Sequence, residues 1–594
     1  MKIPAHAALE PFERAVYTGD ADPFPLLMGC LQALREGGGY GTQHNMSQPL
    51  NTRFASAVIA YFMKPEVNFT ADQFYALCNE RNVLDTIFQA SVYANSDHHV
   101  SLLTEATPHV NKFLLLQSIN SGLNFDYATI FKEHPQETLG LWLSLVGHGQ
   151  VFNPAGDERR EKLLACYPFF EKCEVPPALL NTLTGTYMHC SYGHSKDKHA
   201  LKKTLHQIMR NTIKVEEVAA GPRPRKEKPK ILICMEWWHR YHAMYRSYAR
   251  SIAQLRKSFH VVGMSPMGCE DEAKAVFDEW VPLNAENMVL STVANQIRAL
   301  EPDIIYYPSI GMSVWVIAMA SLRLAPIQMM SYGHPATTHS PVMDYGIIES
   351  DTFVQDRFAE KIITLPPNTV RPTEFQPIAT RHQPRRGNVM RIAVSAMQVK
   401  VSWPFVQAMQ EVCRRAEKKI EFHFFAAVNG VGMYSFLNEM SRLLPNVTVQ
   451  QSQPYHEYME TMAKCDLALF SFPFGGTNSM IDSMILGMPS LSMLGTEPHS
   501  MSDTALIRRA GLPESMVCKS VPEYVEAVLK MQNDDYRALT AELVRGVDVQ
   551  KRFFQPDDSE AFLNVFKRIY DENTTQEVQQ QPDSPWPTRP SSNS

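Results

Sequence analysis

Over the first two hundred residues apolar positions recur at three- and four-residue spacing, as in 71–77 and 112–119, with few alternating β-branched runs. That period predicts an all-α domain over residues 1–214, and no fixed repeat length divides it. Residues 215–230 break the pattern with proline, glycine and charge and read as a linker. Beyond it, short apolar runs at 231–235, 260–263, 303–307 and 345–348 alternate with amphipathic stretches. A second polar break at 380–388 precedes the same alternation at 391–395, 420–425, 447–450, 467–470 and 490–493. Strands separated by helices predict parallel sheets covered on both faces. The expected fold is therefore α/β, with two doubly wound Rossmann-like lobes, 231–380 and 388–573, preceded by the all-α domain. Such lobes bind ligands at the carboxyl ends of their strands, in the cleft between them. Residues 574–594, rich in Gln, Pro and Ser, read as a disordered tail.

Composition narrows the function classes. A chain of 594 residues needs more than one core, and 44% hydrophobic with 20% charged residues suits a folded, soluble protein. The 56 basic and 62 acidic residues give net −6, which offers no chain-wide attraction for nucleic acid. No apolar run is long enough to span a membrane, and Met1 to His6 opens no secretory leader. Ten scattered cysteines without a Cys-x-x-Cys pair suit reduced thiols, so the expected location is cytoplasmic.

The chemistry concentrates in loops after strands. Gly475, Gly476 and Thr477 stand between the run 465–471 and a helical stretch, where close backbone approach, free N–H groups and the helix dipole can hold a phosphate; an ordinary helix cap is the alternative. Asp482, one turn beyond Asn478 on the same face, can accept from ribose hydroxyls. Lys400, after the first strand of the second lobe, can place a point charge on a leaving diphosphate. Tyr455 and His456 precede the glycine segment and offer rings to a nucleobase, or simply pack. In the first lobe His242 starts a helix as a base, a donor to phosphate or a plain cap. The loop with His334, Thr337 and Thr338 reads as a binding edge or a capped helix start. For metal the expectation is negative: the spacings of His189, Cys190, His194 and His199 match no common zinc pattern, and the Asp20-Ala21-Asp22 pair lies in the helical region.

Five stretches, 187–192, 308–312, 323–328, 333–340 and 472–478, together resemble the family 41 glycosyltransferases, in particular the bacterial branch that glycosylates adhesins on asparagine. That resemblance implies a GT-B pair of lobes behind an all-α domain and no cofactor or metal. It also implies inverting transfer of a hexose, usually glucose, from a UDP-sugar to Asn in Asn-x-Ser/Thr of an adhesin or autotransporter before export. By motif, Lys400 is similar to the diphosphate-contacting lysine, and Thr477 and Asn478 to the helix-start contacts. Asp482 is similar to the ribose acceptor, His242 to a histidine beside the reacting centre, and His334 to a member of the sugar-facing loop. The chain departs from the family at Trp237, where a histidine is usual. The same donor site would serve transfer to Ser or Thr, or onto an Asn-linked hexose. A non-catalytic sugar-nucleotide scaffold is the remaining reading, against which the joint presence of Lys400, Asn478 and Asp482 speaks.

Overall fold

A computed structural model describes residues 5–35, 47–106, 110–147, 150–266, 269–284, 288–556 and 559–575. Helices follow one another from Ala5–Thr18 to Leu201–Thr212, as the period predicts. Local signals set their ends: Thr70 and Gln73 form a reciprocal capping box at the start of Ala71–Ala90. Pro135–Val146 is apolar nearly all round and runs through the middle of this region. Its Trp142 stacks on Phe170 at 4.5 Å and donates to the Leu163 carbonyl at 2.9 Å, so even the indole N–H is satisfied in the core.

A short strand, β1 (Arg223–Pro224), lies in the linker. The first lobe is a seven-stranded parallel sheet of β2 (Lys230–Cys234), β3 (His260–Ser265), β4 (Glu279–Pro282), β5 (Ile304–Tyr307), β6 (Ile327–Ser331), β7 (Tyr345–Glu349) and β8 (Lys361–Leu365). Its order is β4-β3-β2-β5-β6-β7-β8. The second is a six-stranded parallel sheet of β9 (Val389–Val394), β10 (Lys419–Phe424), β11 (Val447–Val449), β12 (Leu467–Leu469), β13 (Ser490–Met493) and β14 (Val517–Cys518), in the order β11-β10-β9-β12-β13-β14. Each sheet reverses strand order beside its first strand, between β2 and β5 and between β9 and β12. Three of the four loops the sequence singles out, those that leave β2, β9 and β12, flank these switch points, where neighbouring connections depart to opposite sides and leave a crevice.

The helical region is fused to the first lobe: one apolar core runs from Phe12 and Trp142 through Tyr187 to Leu232, Ile305 and Trp315. It also meets the second lobe, where the buried Ser435 hydroxyl donates to Gln89 at 3.0 Å.

One boundary differs from the sequence reading. The last helix, Ala561–Glu572, leaves the second lobe and packs Phe562, Phe566 and Ile569 on the first-lobe core with Ile231, Ile233 and Tyr306. The second lobe of 388–573 is therefore shorter at its carboxyl end. An amphipathic helix declares an apolar face, not which sheet that face will cover. β15 (Thr574–Thr575), expected in the tail, pairs in parallel with β1, and Lys226 N–H donates to the Tyr570 hydroxyl, so linker and carboxyl end are tied together. Residues 576–594, the rest of that tail, lie outside the described residues. All ten cysteines are free thiols. No described helix is long and apolar enough to cross a membrane.

Candidate active site

The segment after β9 closes into a one-turn helix, Gln398–Lys400, that carries Lys400 toward the loop after β12. Its Nζ donates to the Gly475 carbonyl at 2.9 Å and lies 4.5 Å from the centre of the Phe474 ring. Burial pushes this ammonium down to about 8, while the Asp503 carboxylate pulls the other way. Helix Asn478–Leu486 follows Thr477, whose φ of 46° is left-handed backbone that a β-branched residue avoids. Here the expected phosphate cradle is corrected. Gly476 N–H donates to Asp503 Oδ2 at 2.7 Å, Thr477 N–H donates to Asp503 Oδ1 at 2.5 Å, and Gly475 N–H donates to the His499 carbonyl. An internal carboxylate from helix Pro498–Arg509 thus fills the nest.

Two cavities meet at this point. A chamber of about 270 Å³ inside the second lobe is lined by Ser395, Met397, Phe425, Tyr458, Ser479 and Asp482, among others. A second, of about 330 Å³, lies between the lobes and is lined by Met244, Tyr332, Gly333, Thr477 and Asn478 among others. Lys400 and Gly476 line both, so the ammonium stands at their junction. Asp482 lies in the wall of the first chamber, one turn below Asn478. Burial pushes its carboxyl up to about 6 against the hydrogen bonds of Tyr455 and Tyr458 and the charge of Arg246. Tyr455 donates its hydroxyl to Asp482 at 2.6 Å, so it holds that carboxylate and is not among the chamber's lining residues; Tyr458 takes that place. His456 is exposed, pairs loosely with Glu457 and lines neither cavity.

From the first lobe, His242 caps helix Ala243–Leu255, its Nδ1 accepting the Met244 N–H at 3.3 Å. Burial, with His239 adding to it, pushes the imidazole down to about 4. The next residues, Ala243 and Met244, line the interlobe cavity. His334 is buried: Nε2 lies 2.9 Å from the Ser191 hydroxyl, and its ring stacks on Phe474 at 5.8 Å. It therefore supports the Phe474 loop from behind, while its neighbours Gly333 and Pro335 line the cleft. Thr337 and Thr338 are turned away from it. The Thr337 hydroxyl donates to buried Glu360 at 2.8 Å, and Thr338 donates to it from both N–H and hydroxyl. A carboxylate 23 and 22 residues downstream claims both, a partner that local sequence does not reveal.

Three residues went unread in the sequence. Arg246, one turn after His242 on the same helix face, lies over Phe375 and exerts its charge on Asp482 from across the cleft; the four-residue spacing was the available signal. Glu236, at the end of β2, accepts from the N–H groups of Gly311 and Ser313, and burial pushes its carboxyl up to about 7. Asp503 carried no local signal.

Among the described residues, His199, Glu497 and His499 bring potential metal-ligating atoms together. Glu497 Oε2 lies 3.0 Å from Lys198 Nζ, 3.1 Å from His499 Nε2 and 3.4 Å from His199 Nε2. The ammonium already supplies the counter-charge a cation would bring, so the group reads as a buried ion pair flanked by imidazoles at the seam of helical region and second lobe. His189 and His194 take other partners, the Gly147 carbonyl and Asp157.

Comparison with known proteins bears on this geometry. Residues 128–213 match a family model described as HMW1 domain 2. The chain is 27% identical over 520 residues to a UDP-glucose:protein N-beta-glucosyltransferase of Actinobacillus pleuropneumoniae serotype 5b (strain L20), covering 82% of this chain and 83% of that protein. It is equally similar to the protein of that description from serotype 7 (strain AP76). A Hordeum vulgare protein described as a probable UDP-N-acetylglucosamine–peptide N-acetylglucosaminyltransferase SPINDLY is 25% identical over 36% of this chain and 23% of its own length. Among solved structures, a Thermobaculum terrenum O-GlcNAc transferase mutant superposes with a TM-score of 0.59 over 96% of this chain and 99% of that one, at 13% identity. That likeness places the fold: GT-B lobes behind a helical region.

Proposed function

We propose that this chain, which belongs to the HMW1-type branch of glycosyltransferase family 41, transfers a hexose from a UDP-sugar to the side-chain amide of Asn in Asn-x-Ser/Thr segments of a protein acceptor. Glucose is the sugar we favour, from the printed activity of the Actinobacillus relatives. The observation that carries the reading is the position of Lys400, a single ammonium at the junction of an intralobe and an interlobe chamber. The inner chamber takes the uridine, with Asp482 at the ribose hydroxyls. Lys400 and the open N–H of Asn478 meet the diphosphate, and the hexose extends into the interlobe chamber beside Met244, Gly333 and Pro335.

The acceptor amide nitrogen attacks the anomeric carbon as the C–O bond to UDP breaks on the opposite face, so configuration inverts, and the N–H proton it sheds passes to solvent. An amide nitrogen is a weak nucleophile, and charge builds on the departing diphosphate. A preorganised cation there lowers the barrier more in the transition state than in the ground state. His242, neutral and with its proton on Nε2, serves as a donor at the edge of the cleft and not as a base. We propose that catalysis needs no metal, since Lys400 and the helix start supply the positive charge. The acceptor is an adhesin-type protein met in the cytoplasm before export.

The test incubates the full chain with UDP-glucose, UDP-galactose or UDP-N-acetylglucosamine and an Asn-x-Thr peptide, with EDTA present, and weighs the peptide. One added glucose on the Asn peptide is expected, and Lys400→Ala should lower the rate by about 100-fold or more while the protein stays folded. No transfer to any peptide would sink the catalytic reading, transfer only to peptides lacking Asn would sink the N-linked one, and activity abolished by EDTA would refute metal independence.

A further inference from the structure

Asp503 is 2% exposed and lies 26 and 27 residues downstream of the two amides it accepts, one carboxylate oxygen to each. The turn it grips is costly: Thr477 sits at φ 46° and ψ −82°, which a β-branched residue does not adopt unless its surroundings hold it there. Gly475 fits only because it lacks a Cβ, which would collide with Asp503 Oδ2. The buried carboxylate needs a counter-charge, and the cation that acts on it is Lys400, whose Nζ is fixed by the carbonyl of that glycine. With the Gly476 and Thr477 amides spent, the Asn478 N–H remains without a partner at the head of the helix, in the wall of the interlobe chamber.

We propose that Asp503 is a positioning residue of the donor site, a built-in anion that fixes the Gly475–Thr477 turn and orients Lys400. The diphosphate is then met by the Lys400 ammonium and the Asn478 N–H, and not by the amides of Gly476 and Thr477. The inference rests on the reading of the cleft as a UDP-sugar site. It opposes the alternative in which Asp503 mimics the phosphate and gives way to it. The two differ in sign, because removing a positioning anion weakens nucleotide binding whereas removing a competitor tightens it.

Calorimetric titration of UDP into the full chain, Asp503→Asn and Asp503→Ala at pH values from 6.5 to 9 separates them. Asp503→Ala is expected to bind UDP about ten-fold more weakly or worse. Asp503→Asn has the same shape without the charge and should also weaken binding. In it, the fall of affinity on the alkaline side should begin at lower pH, because the anion that favours the Lys400 proton is gone. A purely structural role would leave that alkaline limb in place. Equal or tighter binding by Asp503→Asn, with the limb unmoved, overturns the proposal even if Asp503→Ala fails to fold. A wild-type chain that binds no UDP overturns the donor-site reading itself, a result distinct from variants that bind as wild type does.

Discussion

With its Nδ1 accepting the Met244 N–H, the His242 imidazole is held in the tautomer that carries the proton on Nε2, so that nitrogen is a donor. Its low affinity for a second proton, about 4, keeps it neutral at working pH. Lys400 titrates on the other side: its charge is complete well below pH 8 and is lost as pH rises through that value. The rate of transfer should therefore hold between about pH 7 and 7.5, fall above about 8 as Lys400 loses its proton, and fall toward pH 6 as Asp482 gains one. A limb near pH 6.5, the ordinary histidine value, that persists in Asp482→Asn would mean that a histidine acts as base after all. His242→Asn keeps a capping acceptor and should retain activity within about ten-fold, whereas His242→Ala loses the cap, at about 1 kcal/mol. Lys400, Asp482 and Asn478 were legible in the sequence because strand-end position and helical spacing locate them without any partner. Thr337, Thr338 and Tyr455 were not, because Glu360 and Asp482 claim their hydroxyls over 22 to 27 residues of chain.

At the scale of elements, the inner strands of both sheets were readable because they are short, apolar and covered on both faces, whereas the edge strands β4 and β8, partly exposed, and β14, two residues long, were not, and the order that sets the switch points is visible only in the structure. The final helix was not assignable to its lobe, and the turn at 475–477 was read as open because a glycine pair before a helix looks alike whether a ligand or a side chain fills it. That turn gives a prediction of its own. Gly475→Ala drives a methyl group into Asp503, so the backbone must shift or the carboxylate must leave. The cost should be about 1–3 kcal/mol in thermal unfolding, with UDP affinity falling alongside. Gly29→Ala is the control: the residue lies within helix Pro23–Arg35, its added Cβ meets no atom within 4 Å, and the change should be neutral or stabilising by about 1 kcal/mol at most. Equal thermal shifts for the two would show that Gly475 is no tighter than an ordinary helical position.

Across the whole molecule, four buried histidines lie where the helical region and the two lobes meet. His206 reaches Ser321, His334 reaches Ser191, His199 reaches Glu497, and His499 faces the Pro335 carbonyl. Burial holds all four below the ordinary value of 6.5, His206 at about 3 and the others well below 6.5, with Lys198 or Lys202 adding repulsion at each. The unfolded chain therefore binds protons that the folded one refuses, and stability is lost as pH falls through 6.5. From pH 7.5 to 5.0 each histidine should cost about 2 kcal/mol. Glu236 and Asp482, raised to about 7 and about 6, take up protons more readily when folded and work in the opposite sense. They return about 4 kcal/mol between them, less than the four histidines cost, and His242, held at about 4, adds to the loss. Tm should therefore be lower at pH 5.0 than at pH 7.5. Because the titrating groups sit at the seams, amide exchange at low pH should rise first around 187–206 and 331–340, while the strands of both sheets stay protected. A Tm at pH 5.0 equal to or above that at pH 7.5, or exchange that rises uniformly, would refute acid opening along these seams.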